Sequence, residues 1–85
     1  VFIQEQLPIE AEDNFGTLHD KLATQGSRLL IKTLLEIATG TLDATAQSND
    51  TATYAEKWEK HDLLINWNEP AEKTVNRIRA CSPVP

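Results

Sequence analysis

Apolar residues recur three and four positions apart through the first half of the chain. They run Leu18, Leu22, Leu29, Leu30, Leu34 and Ile37, with Ile31, Leu35 and Ala38 widening the stripe. Residues at that spacing share one helical face, so the pattern predicts a long amphipathic helix from Thr17 to Thr39. Thr17 offers a side-chain oxygen for an N-terminal amide, with Asp20 completing a capping box. Gly40 suits a left-handed C-cap. Gly26 lies inside the helix and weakens it by about 1 kcal/mol relative to Ala. The stripe is wide enough to ask for a large packing surface such as a sheet. The chain contains barely any such sheet, which suggests a piece of a larger domain.

Outside that helix the patterns are short. Val1-Phe2-Ile3 is apolar and β-prone, and predicts a strand over residues 1–7 that Pro8 ends or places at an edge. Residues 10–16 read as an acidic turn, with Phe15 anchoring the helix by packing. The run GTLDATAQSNDTAT, residues 40–53, is small and polar and predicts an irregular exposed connection. A single helical turn is expected near Glu59 to Asp62. Asn68 is placed to cap a second helix with Pro70 in its first turn. The apolar face of that helix is Ala71, Val75, Ile78 and Cys81, and Ser82-Pro83-Val84-Pro85 stops it. The fold class is therefore an α/β fragment, mostly helical as an isolated chain.

Composition narrows the function. The chain has 85 residues, a net charge of −5 and one cysteine. It has room for one small domain at most. The acidic balance argues against a free-standing nucleic-acid binder, while leaving room for local lysine contacts. One cysteine forms no internal disulfide and no cysteine zinc site. No apolar run approaches a membrane span and no signal-peptide pattern opens the chain, so a cytoplasmic address is expected. The absence of methionine fits a fragment.

The residues offer little catalytic chemistry. His19 and His61 lack a second histidine at metal-ligand spacing and suit surface or capping roles. Cys81 reads as a small core residue, with Arg79 its only basic neighbour. Glu10, Glu12 and Asp13 lie where the helix dipole favours negative charge. No Gly-rich phosphate loop and no nucleophile elbow is present. The expected catalytic, cofactor and metal residues are therefore none. Lys57 and Lys60 flank Trp58 with Tyr54 nearby, and lysines interleaved with aromatics can touch a nucleic-acid backbone or stack on a base. The competing reading packs Trp58 and leaves both lysines in solvent.

An ordered set of segments resembles methionyl-tRNA formyltransferase. They are Leu7-Pro8-Ile9 before Glu12-Asp13, the run from Gly16 to Ala23, Gly40-Thr41-Leu42 and Gln47. Further on come the run Thr53 to Lys57, Ile65-Asn66-Trp67, Pro70-Ala71-Glu72, and Ile78-Arg79-Ala80 with Pro83 and Pro85. The resemblance covers essentially the whole chain. It implies that residues 1–80 end a Rossmann-like catalytic domain and that residues 81–85 begin a linker to a C-terminal domain. It implies transfer of a formyl group from 10-formyltetrahydrofolate to the amino group of methionyl initiator tRNA. The family's Asn, His and Asp catalytic residues and most of its folate pocket lie upstream, so none falls on a position here. Lys57 and Lys60 become candidates for tRNA contact. The implied partners are the initiator tRNA and the neighbouring domains, with self-association of the isolated segment also expected. Cys81, Ser82 and Val84 stand where the family usually has an aromatic, an Asn and a Trp. The alternatives are a related folate-dependent formyltransferase, a formyltetrahydrofolate hydrolase, or a small helical interaction module.

Overall fold

A computed structural model describes residues 1–84. Its elements are the helix α1, Phe15–Ala38, a 3₁₀ turn, Lys60–Leu63, and the helix α2, Ala71–Ala80. Contacts divide the chain into two compact units, one of Val1–Pro8 with Asp20–Thr53, the other of Ile9–His19 with Tyr54–Pro85.

In the first unit most of α1 carries the predicted apolar stripe. Among the described residues no hydrophobic side chain is buried, and Leu30, Ile31, Leu34 and Leu35 are 57–64% exposed. The stripe is formed but uncovered, as its width foretold. The helix stops where the Gly40 signal placed its end. Gly40 takes φ +71, its N–H donates to the Ile37 carbonyl at 3.0 Å, and the Thr41 N–H donates to the Glu36 carbonyl at 3.2 Å. That pair of bonds is a Schellman cap, which needs a residue free to adopt a left-handed backbone.

The strand expected over residues 1–7 is not formed, and among the described residues there is no strand. A strand is defined by a ladder to a neighbour. Here the backbone pairing is limited to Val1 and Thr45, where the Thr45 N–H donates to the Val1 carbonyl at 2.7 Å and the Val1 ammonium donates to the Thr45 carbonyl at 2.8 Å. β-propensity without a partner edge leaves the segment irregular. Its attachment to α1 is polar instead. Glu5 forms an ion pair with Arg28 at 2.9 Å and accepts from the Gln25 side chain at 3.1 Å. Residues 40–53 are irregular and, apart from Leu42, exposed, as expected.

The second unit begins upstream of the expected helix start. α1 opens at Phe15 rather than Thr17, because Asn14 is the cap. The Asn14 side chain accepts from the Thr17 N–H and the Thr17 hydroxyl accepts from the Asn14 N–H, both at 2.9 Å. Thr17 thus serves as the third helical residue of a reciprocal capping box, the place usually held by Glu or Gln. The second helix also differs at its start. Pro70 occupies the cap position with no side-chain cap bond, and the Lys73 N–H donates to its carbonyl at 3.0 Å. Asn68 does not cap α2. Its N–H donates instead to the Asn66 side chain at 3.0 Å, an Asx turn that redirects the chain before Pro70. The single turn expected near Glu59–Asp62 is the 3₁₀ turn, one residue later. The linker expected over residues 81–85 extends to Pro85, which lies outside the described residues.

Candidate nucleic-acid interface

Lys57 and Lys60 lie at the entrance to the 3₁₀ turn and are exposed. The turn between them and Leu63 is locked by its own side chains. The Asp62 N–H donates to the Glu59 carbonyl at 3.0 Å, and the Asp62 carboxylate accepts from the Glu59 N–H at 2.7 Å. His61 Nε2 lies 3.3 Å from the other Asp62 oxygen. The Asp62 carboxylate is therefore occupied within the turn. Locally the two lysines face three acidic neighbours in sequence, Glu56, Glu59 and Asp62. This is a pair of presented ammonium groups, not a broad basic patch.

Trp58 is placed by α2. The Arg77 guanidinium sits over its ring at 5.4 Å, a cation–π contact, and Arg77 Nη1 donates to the Asp62 carbonyl. Trp58 also lines an apolar groove with Phe15, Leu63, Cys81 and Val84, with Lys60 at its edge. One ring face is thus engaged by the protein itself, while the residue as a whole stays 46% exposed. Tyr54, by contrast, is 93% exposed.

A second polar assembly holds the acidic turn. Asp13 is the only buried residue among the described polar and charged ones, at 5% exposure. One of its carboxylate oxygens accepts from the Glu10 N–H at 2.9 Å and the other from the Thr17 hydroxyl at 3.0 Å. Arg79, on α2, donates to the Asp13 carbonyl at 2.6 Å and to the Glu10 carbonyl at 2.9 Å. A buried carboxylate satisfied in this way is a structural knot. It does more than complement the helix dipole. Arg79 is spent on these carbonyls. Cys81 is half-buried at the apolar groove, and His19 has its ring 5.8 Å from that of Phe15. Among the described residues no group of three or more His, Cys, Asp or Glu is arranged to hold a metal ion, and no helix is long and apolar enough to cross a membrane.

Sequence reading singled out the lysines, Trp58 and the carboxylates but missed Arg77 and the work of Arg79. The available signal was weak. Two arginines on a short helix in an acidic chain invite the question of which carbonyls or rings they reach, but spacing does not answer it.

The groove, the lysine pair and the knotted turn all belong to the second unit. Comparison with known proteins supplies the class. No protein-family profile matches the chain. The chain is nevertheless similar along its length to formyltransferases. It is 41% identical over 85 residues to methionyl-tRNA formyltransferase of Staphylococcus aureus (strain MW2), covering all of the chain and 27% of that protein. It is 42% identical over 81 residues to the enzyme of the same name from Albidiferax ferrireducens, and 42% identical over 83 residues to that of Burkholderia mallei, in each case 25% of the relative. The chain thus spans about a quarter of the length of the curated relatives it matches, and the resemblance read from its segments holds across its whole length.

Proposed function

We propose that the chain is a structural, non-catalytic segment of a methionyl-tRNA formyltransferase. In this reading the whole enzyme, in the cytoplasm, moves a formyl group from 10-formyltetrahydrofolate to the amino group of methionyl initiator tRNA. Residues 1–80 close the Rossmann-like catalytic domain and residues 81–85 open the linker to the next domain. The observation that carries the reading is similarity at 41–42% identity to relatives bearing that name, over 95–100% of the chain. The uncovered stripe of α1 and the irregular residues 1–7, whose backbone pairs with other backbone only at Val1 among the described residues, support it, since both suit docking on a sheet supplied by the rest of the enzyme. The segment contributes no base and no oxyanion donor, so the chain alone transfers no formyl group.

Within that enzyme, Lys57 and Lys60 contact the tRNA backbone. Their exposure and their rigid setting beside the 3₁₀ turn support this role. The test replaces both by Ala in the full-length enzyme and compares KM for methionyl-tRNA and for the formyl donor at two salt concentrations. The expected result is a raised KM for tRNA at low salt, shrinking at high salt, with the folate KM unmoved. An unchanged tRNA KM, or an equal rise in both, overturns it.

A further inference from the structure

Arg77 has no part in that reading, yet it reaches both ends of the segment that bears the lysines. Its guanidinium covers the Trp58 ring at 5.4 Å, next to Lys57, and its Nη1 donates to the carbonyl of Asp62, just past Lys60. Its Nε is withdrawn from solvent without a hydrogen-bond partner among the described atoms, so this side chain is committed inward and not offered to a ligand. A cation that leaves solvent for a ring face and a backbone carbonyl gives up hydration, and what it gains here is a fixed conformation of residues 58–62. The turn's own capping box fixes residues 59–62 but does not reach Trp58. Arg77 closes that gap.

We propose that Arg77 is a positioning residue for RNA binding. It clamps Trp58 and the 3₁₀ turn onto α2, so that Lys57 and Lys60 are presented together without ordering when the RNA arrives. This rests on the reading that Lys57 and Lys60 contact tRNA. Pre-ordering long side chains and the turn beneath them removes part of the entropy cost of binding, an effect of about three- to tenfold in affinity.

The test is a cycle in the full-length enzyme, using Arg77→Gln, the double variant Lys57→Ala/Lys60→Ala, and all three changes combined. KM for methionyl-tRNA, kcat and the salt slope of tRNA binding are measured, together with hydrogen exchange of residues 57–62 and of α2. Arg77→Gln is expected to raise the tRNA KM about three- to tenfold with kcat unchanged, and to speed exchange at 57–62 while α2 keeps its protection. Added to the double variant it is expected to change nothing further. Additive losses would mean that Arg77 meets the RNA itself and would overturn the proposal. So would an unaltered KM for Arg77→Gln beside a raised KM for the lysine variant, a pattern that leaves the lysine reading standing. If the lysine variant alone has no effect, the underlying reading has failed, and the exchange of 57–62 separately reports whether Arg77 orders the turn. Should Arg77→Gln unfold α2, Trp58→Leu removes the same clamp from the other side and is expected to give the same KM rise.

Discussion

The two units solve the same problem with opposite means. The second unit is tied together by directed polar contacts between distant parts of the chain. Arg79 on α2 holds the carbonyls of Glu10 and Asp13, the Gly16 N–H donates to the Ser82 carbonyl at 3.0 Å, and Asp13 is buried within the turn. The first unit gathers most of its large apolar residues into one helical stripe and leaves that stripe exposed. Its ties are an exposed ion pair from Glu5 to Arg28, worth less than about 1 kcal/mol, and the backbone pairing of Val1 with Thr45. Directed bonds close a small unit on itself, because each needs only one partner. An apolar stripe needs area, and area has to come from another body.

The sharpest way to break this contrast is at Arg79. Arg79→Met keeps an unbranched apolar stem and removes both donors from the carbonyls of Glu10 and Asp13. The expected loss is about 2–3 kcal/mol of stability in the second unit, since charge-assisted bonds to partly buried carbonyls are removed and their acceptors orphaned. Hydrogen exchange of residues 10–17 reads the loss, and no change there would mean that the turn holds itself.

Next in size is one substitution made at two places on α1. A Cβ on Gly16 would lie 2.6 Å from Pro83 Cδ and 3.3 Å from the Asn14 side chain, whereas at Gly26 nothing lies within 4 Å. Gly16→Ala is expected to destabilise by about 1–2 kcal/mol, overpacking exceeding the gain in helix propensity. Gly26→Ala is expected to stabilise by roughly 0.8 kcal/mol. Thermal unfolding followed by circular dichroism compares them, and effects of equal sign would contradict the packing described at Gly16. Removing the α1 cap with Asn14→Ala is expected to cost about 1 kcal/mol, measured in the same way.

Much of this was legible in the sequence where a local rule decides the outcome. The 3.6-residue repeat placed α1, Gly40 placed its end, and the polar run at 40–53 marked the irregular connection. Sequence reading erred where a choice depended on a partner in space. Val1-Phe2-Ile3 has β-propensity but no edge to join. Thr17 has a capping oxygen, yet Asn14 takes the cap because its side chain and that of Thr17 satisfy each other's amides. Asn68 looked like the cap of α2, but Pro70 holds that position and Asn68 lies two residues before it in a turn closed by Asn66. At the candidate site the lysines were visible as types, while the Arg77 clamp arises from residues fifteen positions apart and left no local pattern.

The claim that organises the account is that the α1 stripe is a surface made for cover. Leu30 and Leu34 lie one helical turn apart on it, at 58% and 57% exposure. Sedimentation velocity of the 85-residue chain over a concentration series, beside the variant Leu30→Lys/Leu34→Lys, tests it directly. The account predicts that the wild-type chain associates as its concentration rises and that the variant stays monomeric, with the helical signal of both unchanged. A wild-type chain that stays monomeric at every concentration with α1 fully helical would contradict it.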